Sequence, residues 1–122
     1  MTVTVYGIHN CDQVRKTLRW LTQHHLTHRF HDFRADGLTR ATLRDWQDRV
    51  GLEALVNRRS QTWRTLSPAQ QSSIATDPDK AISLLLEHPT LIKRPVIVQD
   101  GPSPGVQVGF QEDALRSLLK AD

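Results

Sequence analysis

Cys11 is the single cysteine of the chain, set between a β-branched and aromatic run, Val3 to Tyr6, and a helix-like stretch that begins near Asp12. A thiol at the start of a helix faces backbone N–H groups that have no intrahelical partner, together with the positive end of the helix dipole. Both favour thiolate over thiol. Such a thiolate can attack a disulfide sulfur, a sulfenyl centre or an electrophilic oxyanion. A solitary cysteine forms no internal disulfide, so any thiol cycle here takes its second sulfur from another molecule. The competing reading is a small buried hydrophobe, as for most lone cysteines, and the position between turn and helix favours reactivity.

The residues around Cys11 carry two readings each. Asn10 either hydrogen-bonds a substrate or caps the turn. Asp12 suits a helix start, yet its charge opposes ionisation of a neighbouring thiol, so the net direction is open at this level. Arg15, one helical turn beyond Cys11, either adds positive potential or belongs to a solvated face. His9 is a turn residue that could also donate a proton. Further along, Arg58 and Arg59 fall in a segment rich in hydrogen-bonding groups, and Arg94 precedes Pro95. Trp20, Trp46 and Trp63 read as packing residues, with Trp63 beside the arginine-rich segment.

The elements that must position these groups follow from periodicity and punctuation. Val3 to Tyr6 reads as a strand, Gly7 to Asn10 as a turn, and Val14, Leu18 and Leu21 as one face of a helix closed by His24 and His25. Arg29 to Phe33 reads as a second strand, and a helix of that length between the two implies a parallel crossover. Thr39 is an expected N-cap for a helix bearing Leu43, Trp46 and Val50, stopped by Gly51. Asn57 to Arg64 lacks a clean period and reads as an ordered loop. Ser67-Pro68 and Asp77-Pro78 each read as an N-cap followed by proline at the first helical position, and Pro89 ends the second of these helices. Val96 to Val98 signals a third strand. The Asp100 to Gly105 turn leads back through Val106 to Phe110 as a hairpin, and Gln111 to Lys120 reads as a closing helix.

At 122 residues the expectation is one domain, 1–122, with a helical insertion at about 39–90 and a core that needs no staples. The six histidines show no zinc-finger spacing, so no metal is expected. The formal charge of +3 comes from basic residues dispersed among acids, as in Arg44, Asp45, Asp48 and Arg49, which fits solvated helix faces better than nucleic-acid contact. No stretch has the apolar length of a membrane span, and the start lacks the pattern of a signal peptide. The economical expectation is a cytoplasmic protein with no membrane and no nucleic-acid partner.

The runs "YGIHNCDQVRKTLRWL", "FHDFRADGL", "ALVNRRSQTWRTL" and "HPTLIKRPVIV" resemble those of the arsenate reductase (ArsC-like) family, and particularly its YffB-like branch. The resemblance covers nearly the whole chain. It implies an α/β, thioredoxin-like fold: a mixed four-stranded sheet built as β-α-β, a helical insertion and β-β-α, with helices on both sides. It further implies that Cys11 is the nucleophile, that Arg94 binds an oxyanion or thiol substrate beside it, and that Pro95 is the cis-proline facing the active cysteine. Arg59 is favoured over Arg58 as a substrate contact because "NxR" recurs in the YffB-like branch, and Asn10 and Arg15 complete the expected anion-binding set.

Three departures from the family pattern bear on substrate. Where arsenate reductases of this family place further arginines, this chain has Asn57 and Phe110. Where the Spx-type regulators have a Cys-x-x-Cys switch, it has Cys11-Asp12-Gln13-Val14. The expectation is a thiol reductase with a single nucleophilic cysteine and no bound cofactor. Glutathione would be its co-substrate, glutathione or a glutaredoxin the resolving partner, and a small anionic or disulfide compound the substrate. The alternatives are a non-catalytic, Spx-like regulatory or protein-binding module, and an arsenate reductase.

Overall fold

The computed structural model describes residues 2–101 and 104–117. The chain runs through β1 (Thr2–Gly7), α1 (Asp12–Gln23) and β2 (His28–Asp32), and then into a helical stretch. That stretch comprises α2 (Arg40–Val50), α3 (Leu52–Leu55), α4 (Gln61–Thr65), α5 (Pro68–Thr76) and α6 (Pro78–Glu87), followed by a 3-10 turn at Pro89–Leu91. The remainder is β3 (Val96–Asp100), β4 (Gly105–Val108) and α7 (Glu112–Arg116). Two compact units result: one from the chain up to Asp36 together with the chain from Arg94 onward, the other from Gly37–Lys93.

In the first unit the strands form one mixed sheet in the order β2-β1-β3-β4, the four-stranded arrangement expected. β1 is parallel to β2, with Val5 opposite Phe30 and Gly7 opposite Asp32. It is antiparallel to β3, with Tyr6 opposite Val96 and Val5 opposite Ile97. The alternation along β1 sends Val3 and Val5 to one face. There they join Ile97, Val14, Trp20 and Leu21 of α1 and Leu115 of α7 in a single buried cluster. Burying each such side chain contributes about 1.5–3 kcal/mol, which is what holds α1 against the sheet.

Gly7 permits that packing. A Cβ at this position would lie 2.6 Å from Cγ2 of Val14, so only glycine lets the first turn of α1 come this close to the end of β1. At its other end α1 closes with His25 in a left-handed conformation (φ 57°), and the Leu26 N–H donates to the Leu21 carbonyl at 3.0 Å. These are the hydrogen bonds of a helix stop with a left-handed residue just past the end.

In the helical unit the expected caps are present. Thr39 accepts from the Thr42 N–H, Asp77 accepts from the Lys80 N–H, and Ser67 and Gln70 form a reciprocal capping box ahead of Pro68. Gly51, at φ 83°, ends α2 and begins α3. The expected loop Asn57 to Arg64 is instead partly helical: Ser60 accepts from the Trp63 N–H and starts α4. A helix of one turn buries no periodic stripe, so only its cap identifies it.

Two strand boundaries also move. β2 is His28–Asp32 rather than Arg29 to Phe33; Phe33 lies beyond its end, with its N–H bonded to the Gly7 carbonyl at 2.8 Å. β4 ends at Val108 rather than Phe110 because Gly109 takes φ 84° and turns the chain, donating its N–H to the Pro95 carbonyl at 2.8 Å. Pro102 and Ser103 of the expected hairpin turn, and Leu118, Leu119 and Lys120 of the expected closing helix, lie outside the described residues.

Candidate active site at the start of the first helix

Cys11 is the N-cap residue of α1, in extended conformation (φ −138°, ψ 125°). It is half-buried and packs against the core cluster of the sheet. Because Tyr6 pairs with Val96, the end of β1 and the start of β3 lie side by side, and Arg94-Pro95 comes alongside the turn that carries Cys11. The Arg94-Pro95 peptide bond is cis. The expected residues Cys11, Arg94 and Pro95 therefore meet in one unit, with Asn10 exposed in the turn before the thiol.

The electrostatics of the thiol have a resolved direction. Burial pushes its pKa up. That effect is outweighed by the Val14 N–H, the Arg94 side chain, the Gln13 N–H and the Arg94 charge, so the thiol titrates below its ordinary value of 9.0. Cys11 forms no conventional side-chain cap; the helix N-terminus acts on it through N–H groups that favour the negative sulfur. Neither Asp12 nor Arg15 is among the groups that move it. Those two pair with each other at i, i+3 on the exposed helix surface.

The turn before Cys11 is held by a residue that pattern reading did not single out. Asp32, at the end of β2 and only 6% exposed, accepts from three backbone N–H groups and faces a ring nitrogen of His9. Its Oδ1 takes the Arg34 and Ala35 N–H groups at 2.7 and 3.1 Å. Its Oδ2 takes the His9 N–H at 3.3 Å and faces His9 Nδ1 at 3.1 Å. Burial pushes the Asp32 pKa up, but His9 and the three backbone donors overcome this and bring it to about 2. The sequence signal was local only: an aspartate closing a strand before two N–H donors is a turn-capping arrangement. Its link to His9 depends on the pairing of Gly7 with Asp32.

Arg59 and Asn57 belong to the helical unit. Asn57 organises the turn there: its Oδ1 accepts from the Arg59 N–H at 3.1 Å, and its carbonyl accepts from Ser60 Oγ at 2.7 Å. Arg59 lines a cavity of about 480 Å³ with Asn57, Arg58, Lys93, Glu53 and Val56. Arg58 is engaged by Glu53 at 3.5 Å and lies 5.4 Å from the ring centre of Trp63. In the first unit, Phe110 packs on the same core cluster as Cys11, making that position apolar. Among the described residues no group of three or more potential metal ligands occurs, and no helix is long and apolar enough to cross a membrane.

A mixed sheet in the order β2-β1-β3-β4, with a single thiol at the first helix N-terminus and a cis-proline beside it, defines a thioredoxin-like domain of the one-cysteine kind. A model described as the ArsC family matches residues 6–118, and the chain belongs to that family. It is 47% identical over 110 residues to an uncharacterized protein of Haemophilus influenzae, covering 90% of this chain and 92% of the relative. A solved YffB protein is 38% identical with a TM-score of 0.83, covering 94% of this chain and 96% of that one. An arsenate reductase (ArsC) related protein from Brucella melitensis is 37% identical with a TM-score of 0.74, over 98% and 96% of the two chains. A global transcriptional regulator Spx of Streptococcus pyogenes is 27% identical, over 98% of this chain and 87% of its own length.

Proposed function

We propose that this chain is a glutathione-dependent thiol reductase in which Cys11 is the nucleophile and Arg94 its anion clamp. The observation that carries the reading is the placement of Cys11 as the N-cap residue of α1, where Arg94 and the Val14 and Gln13 N–H groups favour its thiolate. In the reaction, the Cys11 thiolate attacks one sulfur of a disulfide, a Cys11–S–S–R bond forms, and the other sulfur leaves with the bonding electron pair. A second thiolate, supplied by glutathione or a glutaredoxin, then attacks the R sulfur, forms a new disulfide with R and returns Cys11 as thiolate. Arg94 and Pro95 frame the thiol, and Asn10 and Arg15 border its turn. A cytoplasmic setting supplies that thiol pool.

The test is mass spectrometry of the protein after exposure to oxidised glutathione. A single glutathione adduct on Cys11, absent in Cys11→Ser and removed by reduced glutathione, is the expected result. Ordinary alkylation kinetics with no adduct would sink the reading. A regulatory role has its own support in the likeness to Spx proteins along nearly the whole chain; a stoichiometric protein partner still bound by Cys11→Ser would favour it. Arsenate as substrate has less support, because Phe110 puts an apolar group where the arsenate reductases of the family place an arginine. Turnover that depends on arsenate, with glutathione and glutaredoxin present, would restore it.

A further inference from the structure

We propose that His9 delivers the proton to the departing thiol of the substrate, and that Asp32 is the positioning residue that aims its ring. The proposal rests on Cys11 being the nucleophile. His9 stands two residues before Cys11, so the two Cα atoms are within about 7 Å of each other. Its side chain is 80% exposed. Asp32, in contrast, is buried, and its two oxygens divide the work. Oδ1 is locked by the Arg34 and Ala35 N–H groups at the end of β2, while Oδ2 holds both the backbone N–H and the ring Nδ1 of His9. The ring is thereby tied to the sheet instead of swinging freely from a turn.

The tautomer follows from the partner. A carboxylate with its pKa near 2 is ionised at neutral pH and can only accept, so Nδ1 must carry the hydrogen that faces it. The distal Nε2 is left to exchange a proton with whatever lies at the thiol. The charged groups bonded to Asp32 besides His9 include Asp36, whose Oδ2 accepts from the Asp32 N–H at 3.0 Å, and Arg34, whose N–H donates to Oδ1.

The step balances with groups already named. As the Cys11 sulfur forms its bond to one substrate sulfur, the S–S bond of the substrate breaks and its electron pair goes to the leaving sulfur. That sulfur takes the Nε2 proton of the His9 imidazolium, leaving neutral imidazole with Nδ1–H still held by Asp32. When the second thiol enters, its proton passes to Nε2 and the imidazolium is restored. No other oxidant or reductant is required.

A proton donor matters only when the leaving thiol is basic, because an acidic thiol departs unaided as thiolate. Stopped-flow rates of Cys11 modification with oxidised glutathione and with 5,5′-dithiobis(2-nitrobenzoic acid), whose thiol is acidic, therefore separate the roles. In His9→Gln and Asp32→Asn the ratio of the first rate to the second should fall by about tenfold or more. An unchanged ratio, or equal slowing with both reagents as from a loosened turn, overturns the proposal. Should Asp32→Asn fail to fold, His9→Gln decides the proton transfer. Nitrogen-15 spectra of the His9 ring in the unmodified protein then decide the positioning: the neutral ring should be the Nδ1–H tautomer, and an Nε2–H tautomer refutes it. If the unmodified protein reacts with both reagents no faster than a free cysteine, the nucleophile reading itself fails and the proposal falls with it.

Discussion

The Arg94 side chain favours the Cys11 thiolate, although the two residues stand far apart in the sequence. The antiparallel register that sets Tyr6 against Val96 makes them neighbours. Replacing the guanidinium with an apolar group of similar length, as in Arg94→Met, leaves burial pushing the thiol up against the N–H groups alone. The pH midpoint of Cys11 alkylation by iodoacetamide should move upward, and each unit of that movement costs about tenfold in rate at neutral pH. The sign extends to stability. A thiol lowered in the folded state stabilises the fold fully above its unfolded value of 9.0, and that contribution is lost as pH falls through the lowered value. Arg94→Met should show a smaller gain between neutral pH and pH 9, measured by urea unfolding; an unmoved alkylation midpoint would remove Arg94 from the account.

Asp32 makes the opposite end of the pH scale informative. Its pKa falls from 3.8 to about 2 on folding, which corresponds to roughly 2 kcal/mol. Because the folded value is the lower one, this stabilisation is complete above the unfolded value and drains away as pH drops toward 2. Urea midpoints of the unmodified protein should therefore fall between about pH 4 and pH 2 more steeply than those of Asp32→Asn. Parallel acid slopes would show that the carboxylate is not held as described.

Gly7 and Val14 offer a test of how tightly α1 must sit. Gly7→Ala puts a methyl group 2.6 Å from Cγ2 of a side chain that is stiff about χ1. The expected cost is about 1–3 kcal/mol. Since the Val14 N–H also acts on the thiol, alkylation of Cys11 should slow as well. Combining Gly7→Ala with Val14→Ala should recover about 1 kcal/mol relative to the sum of the single changes; strict additivity would mean that the contact is not what makes glycine necessary.

Arg58 and Arg59, adjacent in sequence, should part company in function. Arg58 is committed to Glu53 and to the face of Trp63, exposed interactions worth up to about 1 kcal/mol, so Arg58→Ala should act on stability. Arg59→Ala should leave stability within about 0.5 kcal/mol and raise the KM for glutathione. Steady-state kinetics and thermal melts of the two variants check both halves, and a KM effect confined to Arg58→Ala would reverse the assignment.

What could be read from the residues in advance follows the range of the interactions. The caps at Thr39, Ser67 and Asp77 were legible because cap chemistry is written in three or four consecutive residues. Cys11 and the Arg94-Pro95 step stood out for the same reason, each lying at a punctuated strand end. α4 escaped notice because five residues show no period, and Phe110 fell outside the strand because Gly109 turned the chain. The Asp32 to His9 bond was not legible: it exists only once a parallel register has brought two turns together.

Cys11 occupies a position that helix energetics would assign to another residue. Thr39, Ser67 and Asp77 open α2, α5 and α6 with a side-chain oxygen, whereas α1, the longest helix described, opens on sulfur with no side-chain cap. The extended backbone there suits serine well, and Cys11→Ser should raise the unfolding free energy by about 1 kcal/mol. The chain thus carries a built-in thermodynamic handicap at one atom, and a screen that ranked variants of position 11 by melting temperature alone would favour serine and discard the thiol.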